Sequence, residues 1–161
     1  MTIIVKAQPL TPEAFAPYGD VVAAAGAPTK MINQGRCARF HDLARLDFSD
    51  GRAGLSIFKG EKETLPLALT MVERHPEGSQ AFVPMSADPF LVVVAQDDSG
   101  APKDPRAFIT QPGQAINFHR GTWHGVLAPL SEPGLFAVVD RIGEGANLEE
   151  HWFEEDYRIE R

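Results

Sequence analysis

Two short stretches concentrate the residue types that can move protons or hold a metal ion: Glu73-Arg74-His75-Pro76-Glu77-Gly78-Ser79-Gln80 and Asn117-Phe118-His119-Arg120-Gly121-Thr122-Trp123-His124. Together they carry three of the five histidines. Imidazole titrates near neutrality, which suits it to general acid and base work, and imidazole with carboxylate also makes a ligand set for nickel, iron, manganese or zinc. Residues two apart in a strand share a face, so Glu73 and His75 point into the same space. Gln80 lies beyond a Pro-Glu-Gly-Ser turn that folds the chain back toward them. His124 follows a second turn, in which Gly121 permits a positive φ. The expectation is one pocket, made where two turn-flanked polar strands meet inside a barrel.

The elements that must position these residues read as strands. Leu65 to His75 carries Leu67, Leu69, Met71, Glu73 and His75 on one parity, so an apolar face becomes polar at its end, as a pocket mouth requires. Phe90 to Ala95 is apolar on both parities and is expected to be buried on both faces. Ile3-Ile4-Val5, Arg36–Leu43, Gly54–Lys59, Ala81–Pro84, Arg106–Thr110, Ala115–Phe118, Thr122–Ala128 and Leu135–Asp140 complete the strand set. Asp97-Asp98-Ser99-Gly100, Pro112-Gly113 and Pro133-Gly134 are turns, and Ala101 to Pro105 reads as a Pro-rich loop. Thr11-Pro12 starts a short helix that Tyr18-Gly19-Asp20 ends. Asn147 to Phe153 reads as a second, N-capped helix with acidic residues in its first turn. The pattern predicts a mainly antiparallel β-barrel or sandwich with short helices near both ends.

A chain of 161 residues is most simply one domain and buries about two-thirds of its unfolded surface. Fifteen Lys and Arg against twenty-two Asp and Glu give a net charge of −7. That balance argues against a nucleic-acid partner, which needs clustered cations. It leaves room for an anionic small molecule, since a few local cations reverse the field inside a pocket. The single Cys37 has no partner for an internal disulfide, in keeping with a reducing compartment, and reads as a small buried apolar residue. No run reaches the roughly 18 apolar residues of a membrane span. The first ten residues lack the apolar stretch of a signal peptide, so the cytoplasm is the expected compartment.

The sequence resembles the ureidoglycolate lyases. Carrying the resemblance are Ala14-Phe15, Tyr18-Gly19-Asp20-Val21, Ile32-Asn33 with Gly35, Arg39-Phe40-His41-Asp42-Leu43, Glu73-Arg74-His75-Pro76, Ser79-Gln80-Ala81-Phe82-Val83-Pro84-Met85, Phe90-Leu91-Val92-Val93-Val94-Ala95, Arg106-Ala107-Phe108-Ile109, Asn117-Phe118-His119-Arg120-Gly121, Trp123-His124 and Asp140-Arg141. That family is similar to the cupins, small β-barrels that usually hold a metal on two histidine motifs. At the four cupin ligand positions this chain has Glu73, His75, Gln80 and His124, so two of the four depart from the usual set.

The resemblance implies cleavage of ureidoglycolate to glyoxylate and urea, a step in purine and allantoin degradation. Such an elimination needs a base for the hydroxyl proton, an acid for the departing urea, and a cation for the carboxylate. His75, His119 and His124 are the candidates for the first two tasks, with Glu73 as basic or orienting partner. Arg39, Lys59, Arg74, Gln80 and Arg141 are the candidates for substrate binding. Arg74 has opposite parity to His75 and is expected to point away, and of Asp140 and Arg141 only one faces inward. If a divalent ion is bound, its ligands are Glu73, His75 and His124 with Gln80 as a marginal fourth, and the resemblance points to nickel; a site without metal stays open. His41 and His151 read as structural or solvated residues, and Trp123 as core. A metal-dependent cupin isomerase or dioxygenase and a non-catalytic small-acid-binding domain are the alternatives. The resemblance also implies a homodimer.

Overall fold

Alternating apolar and polar residues put most of the chain into strands. The computed structural model describes residues Met1–Arg161. In chain order the elements are β1 (Ile3–Pro9), α1 (Pro12–Phe15), β2 (Gly19–Val22), β3 (Lys30–Ile32), β4 (Cys37–Arg39), β5 (Arg52–Lys59) and β6 (Leu67–Arg74). Then follow β7 (Gln80–Pro84), β8 (Phe90–Asp98), β9 (Ala101–Ile109), β10 (Ala115–Phe118), β11 (Trp123–His124), β12 (Ala128–Pro129), β13 (Leu135–Ile142) and β14 (Glu149–Glu160).

One sheet runs β11-β6-β14-β1-β9-β8-β12, and β11 also pairs with β8, so the sheet closes into a barrel. A second sheet, β2-β10-β7-β13-β5, packs against the outside of that barrel. Pairing is antiparallel except for β1, which lies parallel to both β14 and β9. This is a cupin-like arrangement of barrel and sandwich.

There are two cores, and β8 serves both. Leu91, Val93 and Ala95 face the barrel interior with Leu69, Val72, Ala107, Trp123 and Ile159. Phe90, Val92 and Val94 face the second sheet, against Phe82, Ile116, Phe118, Phe136 and Val138. Phe90 to Ala95 are therefore all buried, as a run apolar on both parities requires. Each fully buried side chain of this kind contributes about 1.5–3 kcal/mol, so β8 is the principal tie between the layers. The same alternation splits β11, sending Trp123 into the barrel and His124 to the space between the sheets.

At the N-terminal end the expected cap is present: the Thr11 hydroxyl accepts from the Ala14 amide at 3.2 Å, with Pro12 in the first turn. The helix ends at Phe15, however, and Gly19 opens β2 instead of terminating it. Its backbone passes so near β10 that a Cβ would lie 2.0 Å from the Asn117 carbonyl oxygen.

The C-terminal helix read from Asn147 to Phe153 is absent; Glu149–Glu160 is a strand paired with β6 and β1. His151, Phe153, Tyr157 and Ile159 repeat with period two, and that pattern over the longer window outweighs the local capping signal. Nor is Ala101–Pro105 a loop. It is the first half of β9, with Asp104 at φ 50 and Pro105 accommodated where the β8–β9 register shifts. Of the stretch Arg36–Leu43, only Cys37–Arg39 forms a strand, in a small hairpin with β3. Cys37 is exposed rather than buried, because that hairpin stands clear of both cores.

Candidate active site

His124 and Glu73 sit directly opposite each other where β11 pairs with β6, so their side chains share one face of the barrel wall. His75, just past the end of β6, has its ring centroid 5.1 Å from that of His124. The Gly121 amide donates to the His75 carbonyl at 3.0 Å, so the second histidine turn is tied by backbone to the first. Gly121 has φ +80 there, as the sequence predicts. The ligand-type atoms of Glu73, His75 and His124 lie within 4.8 Å of one another. Beside them opens a cleft of about 350 Å³ lined by Phe58, Lys59, Glu73, Phe82, His124 and Leu127. A larger groove of about 800 Å³ along β1 and β9 holds no comparable cluster of titratable groups.

Both imidazoles are fixed in the same tautomer. His75 Nδ1 lies 2.9 Å from the Asn147 carbonyl and His124 Nδ1 lies 2.9 Å from the Gly125 carbonyl. A carbonyl only accepts, so each Nδ1 carries the proton and each Nε2 keeps its lone pair. Both Nε2 atoms are buried without a hydrogen-bond partner. Phe118 stacks flat on His124, with centroids 4.1 Å apart and planes at 5°.

Burial pushes the His124 pKa down from 6.5 to about 3, outweighing the Gly125 carbonyl that favours the cation. His124 is thus a neutral lone-pair donor at ordinary pH. Glu73 moves the other way: burial raises its pKa, with His75 opposing and Glu150 adding to the shift. Its Oε1 is 3.8 Å from His75 Nε2. Two unpartnered imidazole lone pairs converging beside a partly desolvated carboxylate are a donor set that fits a divalent cation, or a proton in transit.

Of the other residues singled out from the sequence, Lys59 reaches the cleft. Gln80 also faces inward: it is 6% exposed and opposes Phe118 in the β10–β7 register. His119 stands apart from the cluster, with Nε2 3.1 Å from Asp20, in a separate cleft with Arg120, Thr122 and Trp123. Asp20 is itself acidified, since hydrogen bonds from the Arg45 amide, Asn117 and His119 outweigh the upward push of burial. Arg74 points away, pairing with Glu149 at 2.5 Å and Asp97 at 2.8 Å and lying over Trp123. Arg141 is buried on Asp50 and the Glu144 carbonyl. Asp140, its neighbour, takes the inward parity. Arg39 lies exposed at the end of β4. His151 is in β14, edge-on to Trp123 and Phe153.

Three contributors were not singled out as site residues. Asn147, read as a helix cap, uses its carbonyl to orient His75 and its side-chain oxygen to accept from the Glu77 amide at 2.7 Å. Phe118 braces His124, and its signal was the parity it shares with Ile116 in a strand leading to the histidine turn. Asp140 receives the Gln80 amide at 3.2 Å.

A cupin-like barrel with a Glu-His-His cluster on its outer wall defines the class of protein. Comparison with known sequences narrows it. The profile of the ureidoglycolate lyase family matches residues 2–160. The chain is 59% identical over 145 residues to the ureidoglycolate lyase of Rhodobacter capsulatus, covering 89% of this chain and 90% of that protein. It is 54% identical to the ureidoglycolate lyase of a Chelativorans species, over 95% of this chain and 94% of that protein. To ureidoglycolate lyase 2 of Rhizobium meliloti it is 51% identical, over 95% of each. The chain belongs to the ureidoglycolate lyase family.

Proposed function

We propose that this protein is an enzyme that cleaves ureidoglycolate to glyoxylate and urea, and that Met1–Arg161 acts as one catalytic domain. The observation that carries the site assignment is the pair of buried, unpartnered Nε2 atoms of His75 and His124 beside the Glu73 carboxylate. The reaction is an elimination without water. The hydroxyl O–H bond breaks and its oxygen forms the aldehyde C=O. The C–N bond then breaks with its electron pair going to nitrogen, which takes a proton and leaves as urea.

Glu73, with its raised pKa, is the base for the hydroxyl proton. His124, neutral down to about pH 3, offers a lone pair and does not serve as a cationic acid. The Glu73 carboxyl lies 3.8 Å from His75 Nε2 and passes that proton to its lone pair, and His75 hands it on to the departing nitrogen. Lys59, at the cleft, holds the carboxylate. Glu73, His75 and His124 would also hold a divalent ion, nickel by family resemblance, and such an ion supplies Lewis acidity to the hydroxy-carboxylate end. His119, on Asp20, supports the turn that precedes His124 rather than the reacting atoms. No helix is long and apolar enough to cross a membrane. The cytoplasm is the working compartment in this reading, in keeping with the unpaired Cys37, and a homodimer is the working form that the family resemblance implies.

The test is incubation of purified protein with racemic ureidoglycolate, with and without a chelator, following glyoxylate, urea and ammonia. Glyoxylate with an equal amount of urea and no ammonia is the expected result, and loss of rate with chelator assigns the ion a role. Ammonia release, or no turnover in either condition, would overturn the reading.

A further inference from the structure

Gln80 presents a buried hydrogen-bond acceptor that the chain leaves unused. Its Nε2 donates to Asp140 Oδ2 at 3.2 Å, while its Oε1 is buried with no partner. The orientation of the amide is not arbitrary. A carboxylate can only accept, so the nitrogen must face Asp140 and the oxygen must face away from it. A buried acceptor left unpaired is unfavourable, so its natural complement is a ligand N–H.

Its position links it to the histidine cluster. Gln80 opposes Phe118 across the β10–β7 pair, which puts their Cβ atoms about 5 Å apart on the same face. Phe118 in turn lies 4.1 Å from His124, ring on ring. Asp140 is level with Gly54 at the start of β5, whereas Lys59 ends that strand. Along β5 and β13, then, a cation lies at one end, beside the cleft, and two acceptor groups lie toward the other, on the His124 side. A carboxylate is drawn to Lys59 and repelled by Asp140. A ureido group, which carries N–H donors on both nitrogens, has the reverse preference.

We propose that Gln80 binds the ureido nitrogens of the substrate through Oε1, and that Asp140 is the positioning residue that locks the Gln80 amide in the accepting orientation. The inference rests on the ureidoglycolate reading and deepens it by assigning the end of the site that selects the nitrogen side of the substrate. It accounts for Gln where a carboxylate is the usual cupin choice: a neutral oxygen accepts from N–H without adding a second charge beside Asp140.

The experiment compares calorimetric binding of two stable analogues, ureidoacetate and 4-oxopentanoate. They share shape and carboxylate, but in the second both nitrogens are replaced by carbon. Wild-type protein should bind ureidoacetate at least tenfold more tightly. In Asp140→Asn, whose side chain can donate to Gln80 and let the amide turn over, the ratio of the two affinities, in which the effect of the lost charge on the shared carboxylate cancels, should shrink to about twofold. Gln80→Met, which keeps length and removes the acceptor, should do the same. Equal binding of the two analogues by wild type, or binding of neither, overturns the proposal, whether or not the variants fold. Turnover of ureidoglycolate is measured separately. A preference for ureidoacetate without turnover sinks the enzyme reading and leaves this one standing, and turnover without the preference does the opposite.

Discussion

His124 shows how one residue's surroundings decide its chemistry. It is 2% exposed, stacked on Phe118, opposed in register to Glu73, and hydrogen-bonded only through Nδ1. Those surroundings refuse it a second proton down to about pH 3, whereas in the unfolded chain it titrates at 6.5. Below pH 6.5 the unfolded state therefore gains a proton that the folded state does not. Stability is full above that value and falls as pH drops toward 3, by about 1.4 kcal/mol per pH unit once well below 6.5. Metal-free protein should lose about 1.5 kcal/mol between pH 6.5 and 5 relative to His124→Gln, measured as urea midpoints across that range, where ordinary carboxylates contribute little. Parallel pH profiles for the two proteins would show that His124 is not buried in its neutral form.

At the scale of elements, the same residues were legible to different degrees. Glu73 with His75, and the turn before His124, could be read because strand parity and a glycine turn are local rules. Asn147 could not. Its role depends on β14 crossing beside β6, and the acidic run after it imitates a helix start while the apolar alternation continues to Ile159. Arg74 and Arg141 were ambiguous for a related reason: sequence gives parity, but only the fold supplies the Glu149, Asp97 and Asp50 carboxylates that occupy them. Gly19 belongs here too, since its reason is a neighbouring strand rather than a helix end. A Cβ there would meet the Asn117 carbonyl at 2.0 Å and the Phe15 ring at 2.9 Å. Gly19→Ala must therefore push β2 off β10, the strand that carries Phe118 against His124. The expected cost is about 2–4 kcal/mol, at the high end for single substitutions. Urea denaturation checks the cost, and a change under 0.5 kcal/mol would mean the two strands can separate freely.

For the whole molecule, the second sheet has one face in the core and one that nothing in the chain fully covers. Leu55 is 73% exposed, Ile57 57%, Met85 58% and Val83 41%. They are not scattered. Ile57 opposes Ala137, Ala137 opposes Val83, and Val139 opposes Leu55, so they form one apolar field across β5, β13 and β7. A field of this kind marks an interaction surface. Strand β5 is also the free edge of its sheet, and eight residues without proline make it a long edge to leave unprotected. With a net charge of −7 on every copy, two chains approach most easily through an uncharged patch, and a two-fold axis lets each patch cover the other. The proposed homodimer should therefore use this face, at the edge of the strand that ends in Lys59. Light scattering should give the wild type twice the 17.6 kDa chain mass, and the double variant Leu55→Asp, Ile57→Lys the single mass with its circular dichroism unchanged. A monomeric wild type, or a double variant that still dimerises, would remove this face as the interface.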